Sequence, residues 1–251
     1  DGARFVADAA ARGASVIVTR PETEVPDGIG AIVLRVANPR RELALMASRF
    51  YPGQPAVTVA VTGTSGKTSV AEFTRQIFAH AGRRAASLGT IGVVKPDGAI
   101  YGSLTTPDPV SLHRTLDELA RERISHLAFE ASSHGLDQHR LDGVRLTAAA
   151  FTNLGRDHMD YHATVEDYLA AKMRLFRALL HPGQPAVVNA DGAYGDHVAD
   201  AARARGLDVR TVGRAGKALR LVAAVRDGFR LLLRIELALG YAEFRLPLIG
   251  A

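Results

Sequence analysis

The spacing of apolar residues changes along the chain. Residues 5–12 predict a short helix that ends at Gly13. Ser15–Thr19 and Ala31–Val36 are apolar, β-branched runs and predict strands. Asn38-Pro39 marks a helix start, with Asn as the cap and Pro at the first helical position. Leu43, Met46 and Phe50 then recur at helical spacing. The run Tyr51-Pro52-Gly53-Gln54-Pro55 breaks that helix and is the linker candidate. Beyond it strands and helices alternate. Val57–Val61 predicts a strand, followed by a helix from Thr68 to Ala81 closed by Gly82, with Val70, Phe73, Ile77 and Ala81 on one face. Asp108-Pro109 opens another helix with Leu112, Leu116 and Leu119 on its inner stripe. His126–Glu130, Leu146–Thr152 and Ala186–Asn189 predict short apolar strands. In the last third, Leu219–Val225 and Phe229–Leu237 flank Asp227-Gly228 as a hairpin, and Tyr241–Leu246 predicts one more strand.

Such βα alternation predicts an α/β fold with a mostly parallel sheet flanked by helices and an antiparallel hairpin extension. A small, incomplete α/β unit over residues 1–52 would precede a larger one over residues 53–251. The chain has 251 residues, 47% of them hydrophobic, which supports a packed core and argues against disorder. No run of about 18 apolar residues is present, so no membrane-spanning helix is expected. No secretory leader is visible, although the first residue is not Met. With no cysteine, disulfides and thiolate metal sites are excluded, which fits a reducing compartment.

The net charge of +5 suggests an anionic partner, either nucleic acid or a phosphorylated small molecule. No basic run interleaved with aromatics exists and Trp is absent, so scattered surface arginine is favoured over a nucleic-acid face. Of 31 basic residues only four are Lys: Lys67, Lys95, Lys172 and Lys217. A lysine that survives this bias is a candidate for work needing a compact, titratable amine.

The stretch Val57-Thr-Val-Ala-Val-Thr-Gly63-Thr64-Ser65-Gly66-Lys67-Thr68 carries the clearest chemistry. An apolar strand runs into a glycine loop, then Lys-Thr, then a helix. Backbone N–H groups freed by the glycines and the positive end of the helix converge on an anion. Lys67 would reach the terminal phosphates of ATP, and the Thr68 hydroxyl would bind Mg²⁺. The loop is shorter than the usual pattern, because Val61 stands where that pattern has its first Gly. An ordinary βα turn is the competing reading.

Glu130 ends the predicted strand His126–Glu130, and Asp157-His158 follows the next one. In parallel sheets ligands bind beyond the carboxyl ends of strands, so these groups are placed to hold Mg²⁺. A solvated loop position is the alternative for Glu130. Lys172 lies four residues after Tyr168 and four before Phe176, within the stripe Val165, Tyr168, Leu169, Phe176, Leu179. Burial disfavours an ammonium, and a free amine takes up CO₂ to give a carbamate able to bind Mg²⁺. The residue pattern alone favours the other reading, a lysine whose stem runs to water.

Taken in order, Gly63-Thr-Ser-Gly-Lys-Thr68, Leu104-Thr-Thr-Pro107, Glu130-Ala-Ser-Ser-His-Gly-Leu-Asp-Gln-His-Arg140, Phe151-Thr-Asn-Leu154 with Asp157-His158, and Tyr161-His162 with Tyr168 through Lys172 resemble the Mur ligases. The Glu-x-Ser-Ser-His…Gln-x-Arg segment resembles the MurE type, which adds a diamino acid to UDP-N-acetylmuramoyl-L-alanyl-D-glutamate in peptidoglycan synthesis. The resemblance implies a cytoplasmic, monomeric, ATP-dependent amide ligase. Gly63, Thr64, Ser65, Gly66, Lys67 and Thr68 would bind ATP. Thr68, Glu130, His158 and a carbamylated Lys172 would hold Mg²⁺, with Lys67, Lys172 and His158 catalytic. Thr105, Thr106, Ser132, Gln138 and Arg140 would bind the UDP-muramoyl-dipeptide. Leu104 stands where the family often has Asn, and Gly155 where a hydroxyl residue is commoner. Family members start earlier and continue into a further domain, so a fragment is expected. The choice between meso-diaminopimelate and lysine stays open, and a folylpolyglutamate synthase-type ligase or another P-loop ATPase is the alternative.

Overall fold

The computed structural model describes residues 2–100, 104–155 and 161–247. It opens with a 3₁₀ turn, Gly2–Phe5, and helix α1 (Val6–Ala11), then strands β1 (Val16–Thr19) and β2 (Ile32–Arg35), which pair in parallel. Helix α2 (Pro39–Phe50) follows. Asn38 caps it as predicted, its side chain accepting from Arg41 N at 3.0 Å. The buried stripe of α2 differs from expectation. Ala44 and Ala47 face inward, whereas Leu43, Met46 and Phe50 are exposed. The inner face is the one that packs on a neighbouring helix, and small residues allow that close approach.

The remaining strands form one 11-stranded sheet in the order β13-β12-β11-β10-β9-β8-β3-β7-β4-β5-β6. In chain order these are β3 (Val57–Thr62), β4 (Ala85–Gly89), β5 (Gly92–Lys95), β6 (Gly98–Ile100), β7 (His126–Glu130), β8 (Ala148–Phe151), β9 (Pro185–Asn189), β10 (Asp208–Gly213), β11 (Leu219–Asp227), β12 (Arg230–Leu237) and β13 (Gly240–Leu246). The stretch from β11 to β4 is parallel throughout. Both ends of the sheet finish in antiparallel pairs. The helices are α3 (Lys67–His80), α4 (Pro109–Arg121), α5 (Ser133–Asp137), α6 (Val165–Arg174, continued by a π-helical segment Leu175–Leu179) and α7 (Gly195–Ala204).

Alternation along the central strands assigns the two faces. Ala60, Leu127, Phe129, Ala149 and Phe151 join the large core that also takes Leu112, Leu116, Met173, Phe176 and Val198 from α4, α6 and α7. Val61 and Ala128 point to the other face and meet Ala71 of α3. The predicted stripe of α4 is therefore correct. That of α3 holds only at Val70, which packs beside Ala71; Phe73 and Ile77 are 43% and 67% exposed, and Ala71 is the buried contact. A 14-residue helix lying on alanine-rich strands packs its small side, so size complementarity overrides the larger residues.

Strand β3 is flanked by β7 on one side and β8 on the other. After β3 the chain builds outward to β4 and fills in β7; after β7 it crosses to build β8, β9 and β10. The carboxyl end of β3 is thus the topological switch point, where an open parallel sheet forms its crevice. The α2 unit is strapped to this framework. Gly53 N donates to Asp117 Oδ1 at 2.9 Å, and Asp142 forms ion pairs with Arg41 at 3.2 Å and Arg174 at 3.1 Å.

Candidate functional site

At the switch point β3 enters the glycine loop. Gly63 has φ 145° and Gly66 φ 83°. A Cβ on Gly63 would lie 1.9 Å from Thr152 Oγ1 and 3.0 Å from both N and O of Asn153. The loop is therefore clamped to the end of β8. Thr64 N donates to Asn153 O at 2.9 Å, Ser65 N to Asn153 Oδ1 at 3.0 Å, and Thr152 Oγ1 to Ser65 O at 2.6 Å. Gly66 starts α3 in the left-handed conformation, and no side chain caps that helix. Its positive dipole end faces the loop. Lys67 arches back, its Nζ donating to Gly63 O at 3.0 Å and Thr64 O at 2.7 Å.

Thr68, one residue into α3, donates through Oγ1 to Glu130 Oε1 at 2.9 Å. Glu130 is the last residue of β7 and only 2% exposed, so it is not a solvated loop residue. Thr90 N also donates to Oε1, at 2.8 Å. A Cβ on Gly89 would meet that same oxygen at 2.0 Å, so the end of β4 is shaped around the carboxylate.

Lys172 is 1% exposed, and its stem does not run to water. Its Nζ donates to Gly63 O at 2.8 Å and lies 4.2 Å from the centre of the Tyr168 ring. The Tyr168 hydroxyl in turn pairs with Thr64 Oγ1 at 3.2 Å. Helix α6 thus grips the glycine loop through two residues four apart. Lys67, Thr68, Glu130 and Lys172, scattered over more than a hundred positions, meet around one loop. His158 and Asp157 lie outside the described residues.

Residues predicted to bind the second substrate cluster beside this loop, with varied freedom to do so. Thr106 is buried, and its hydroxyl is taken up by Glu130 O at 2.9 Å and Ser132 N at 3.0 Å. Ser132 caps α5 by accepting from Gly135 N at 3.1 Å. Gln138 Oε1 accepts from Arg140 Nη2 at 2.7 Å, and Arg140 Nη1 donates to Thr106 O at 2.7 Å. Thr105 Oγ1 lies 3.1 Å from Thr90 Oγ1. Burial pulls the Arg140 guanidinium below its ordinary pKa while the Asp108 carboxylate opposes that shift. Burial and a hydrogen bond to Asp137 raise that of the Tyr161 phenol.

The donor set suits a hard divalent cation bound with a nucleotide. A buried carboxylate and a hydroxyl stand beside the glycine loop, and among the described residues the hydrogen bonds on that carboxylate come from neutral donors. Mg²⁺ needs only one or two protein ligands when phosphates supply the rest. No group of three His, Cys, Asp or Glu gathers among the described residues.

Sequence reasoning missed Thr90, Thr152, Asn153 and Tyr168. Three of these lie within motifs already noted, but their roles are contacts between distant segments. Thr90 had no signal, because Ala85–Gly89 lacks the β-branched residues that announce a strand.

A parallel sheet wound both ways from a glycine loop defines a P-loop-type α/β domain. More narrowly, the chain belongs to the Mur ligase family: the family model described as the Mur ligase middle domain matches residues 61–251. It is 59% identical over 240 residues to the UDP-N-acetylmuramoyl-L-alanyl-D-glutamate–2,6-diaminopimelate ligase of Bradyrhizobium diazoefficiens, covering 94% of this chain and 49% of that protein. The enzyme of the same name from Brucella melitensis is 56% identical over 250 residues, covering 100% of this chain and 51% of that protein. The chain spans about half the length of these relatives. A solved structure of a 2,6-diaminopimelate ligase of this name superposes with TM-score 0.83 at 27% identity, over 99% of this chain and 50% of that one. A folylpolyglutamate synthase (FPGS) complex with AMPPCP has TM-score 0.66 at 15% identity, over 85% of this chain and 59% of that one, and shares the fold alone.

Proposed function

We propose that this chain is the ATP-binding part of an ADP-forming ligase that joins 2,6-diaminopimelate to UDP-N-acetylmuramoyl-L-alanyl-D-glutamate in peptidoglycan synthesis. The observation that carries the reading is the convergence of Lys67, Thr68, Glu130 and Lys172 on the loop at the end of β3. The names of the relatives supply the substrates. Residues 1–52 would serve the UDP-substrate, and residues 53–251 the nucleotide. A cytoplasmic monomer is part of the same reading; no helix among the described residues is long and apolar enough to cross a membrane.

In the proposed reaction a glutamyl carboxylate attacks the γ-phosphorus of ATP. The bond to ADP breaks and an acyl phosphate forms. The amine of 2,6-diaminopimelate then displaces phosphate and loses a proton, leaving the amide. Phosphoryl transfer needs charge neutralisation more than covalent help. Gly63 to Thr68 cradle the phosphates, and Lys67 leaves its carbonyl contacts to reach them. Thr68, Glu130, His158 and Lys172 as a carbamate hold Mg²⁺, which when bound spreads the negative charge of the phosphates. Carbamylation joins the Lys172 amine to CO₂ with loss of a proton. One N–H remains, enough to keep the bond to Gly63 O. Thr105, Thr106, Ser132, Gln138 and Arg140 line the second-substrate side, with Thr106 and Ser132 acting by holding its backbone in shape.

Calorimetry of ATP binding tests the site: Lys67→Ala lowers affinity at least tenfold, and unchanged affinity refutes it. In the full-length protein, phosphate release should require both UDP-N-acetylmuramoyl-L-alanyl-D-glutamate and 2,6-diaminopimelate. There, Lys172→Ala abolishes ligation, and a small carboxylic acid restores part of it. Full activity of that variant ends the carbamate assignment.

A further inference from the structure

The geometry points to Thr90 as a positioning residue that sets the orientation of the Glu130 carboxylate and the hydrogen-bonding polarity of Thr105. This rests on the nucleotide reading above and names a residue that reading does not use.

Strand β4 runs parallel to β7 in the register Leu88↔Phe129, which brings Gly89 and Thr90 beside Glu130. The carboxylate packs over Gly89, where a Cβ would sit 2.6 Å from both Cγ and Cδ of Glu130. Thr90 then holds it by both oxygens. Its N–H donates to Oε1 at 2.8 Å and its hydroxyl to Oε2 at 3.4 Å. Thr68 adds its donation to Oε1 at 2.9 Å. Glu130 is fixed at the main chain as well, by Thr106. Among the described residues Oε1 therefore receives two donors and Oε2 only the longer bond from Thr90, which turns that oxygen without saturating it. A carboxylate so held keeps lone pairs for a cation at a defined angle.

The same bond orders a relay. A carboxylate accepts only, so the Thr90 proton goes to Glu130. The Thr90 oxygen then stands as acceptor toward Thr105, 3.1 Å away, and the Thr105 proton points to Thr90. Thr105 is left with lone pairs for a ligand. It can meet a cation or an N–H donor, but it cannot donate to a phosphate. The relay Thr105 to Thr90 to Glu130 thus connects the proposed metal site with the proposed second-substrate side.

The test uses Thr90→Val, which removes the hydroxyl and keeps the shape and the backbone donor. Thr90→Ser restores the hydroxyl. ATP binding is measured by calorimetry in EDTA and across a MgCl₂ series. Outer partners of metal ligands typically carry about tenfold in metal affinity. Thr90→Val should leave ATP affinity in EDTA within about twofold and raise the Mg²⁺ midpoint about tenfold, and Thr90→Ser should return it to within about twofold of wild type. A simple packing role would shift affinity with and without Mg²⁺ alike. An unchanged midpoint in Thr90→Val, or no rescue by Thr90→Ser, overturns the proposal. Circular dichroism checks the fold, and Thr90→Ala makes the same deletion if Thr90→Val does not fold. Wild type that fails to bind Mg·ATP, or Lys67→Ala that binds it normally, overturns the nucleotide reading itself and Thr90 with it.

Discussion

Replacing Gly63 by Ala separates the strain of the glycine loop from its packing. Two terms oppose the substitution. The φ of 145° is a conformation L side chains rarely adopt, and forcing it costs about 1–3 kcal/mol. The new Cβ would stand 1.9 Å from Thr152 Oγ1 and 3.0 Å from Asn153 N and O. Thr152 can rotate away only by giving up its bond to Ser65 O, and the Asn153 main chain cannot rotate at all. Overpacking of this kind adds about 1–3 kcal/mol. The sum is about 2–6 kcal/mol, a large share of the roughly 5–15 kcal/mol of a typical domain. Gly82 is the control. It too has positive φ, 75°, but nothing lies within 4 Å of its added Cβ. Gly82→Ala should cost about 1–2 kcal/mol, the backbone term alone. Urea denaturation gives both numbers and calorimetry gives ATP affinity. Gly63 O accepts from both Lys67 and Lys172, so a shifted carbonyl disturbs both lysines. Gly63→Ala should lose at least tenfold in ATP affinity, while Gly82→Ala binds normally. Equal stability losses in the two variants, or intact ATP binding by Gly63→Ala, would refute the reasoning.

Glu72 makes stability acid-sensitive. Its bond to Arg75 comes first, with Gln76 and Ser87 adding to it against the cost of burial, and together they hold the carboxyl at about 2 instead of 4.5. A depressed folded pKa means the contribution is whole above pH 4.5 and fades as pH falls toward 2. At about 1.4 kcal/mol per unit, discounted for partial exposure, wild type should lose about 2 kcal/mol more than Glu72→Gln over that window, and parallel pH profiles would contradict this. Asp142→Ala takes the carboxylate from Arg174, which keeps Leu136 O and His139, and releases Arg41, so urea denaturation should show a loss of about 1–3 kcal/mol, tempered because Arg41 is half exposed; a loss below about 0.5 kcal/mol would count against the strap between α2 and α6.

What was legible in the sequence was what is local. The loop from Gly63 to Thr68 announced itself because strand, glycines, Lys-Thr and helix are contiguous. The helix starts at Asn38-Pro39 and Asp108-Pro109 were legible because a cap and a proline act within one turn. Lys172 stood out because an ionisable residue interrupts an apolar stripe, of which Tyr168, Leu169 and Phe176 are buried. Failures came where tertiary packing chose among local options. Helix α2 turned its alanines inward and left Leu43, Met46 and Phe50 outside. Helix α3 did the same with Ala71 against Phe73 and Ile77. Strand β4, Ala-Ala-Ser-Leu-Gly, is fully buried on small residues and carries no strand signature, so the partner it supplies to Glu130 was invisible.

The small residues that defeated prediction are what permit the site. Gly89 lets a buried carboxylate lie across the end of β4, and Gly63 lets the loop press against β8. Neither close approach survives a methyl group, and each brings a candidate site residue to the same crevice. Burying Glu130 and Lys172 is unfavourable in itself, because an ionisable group leaves water for a few hydrogen bonds. The framework meets that cost with threonine hydroxyl and main-chain contacts together: Thr68 Oγ1, Thr90 Oγ1 and Thr90 N on Glu130, and Gly63 O on Lys172. Main-chain partners cannot swing away when charge enters the crevice. A cation and phosphates arriving there would meet a carboxylate already aimed, and the reorganisation left would be local: Lys67 giving up its bonds to Gly63 O and Thr64 O.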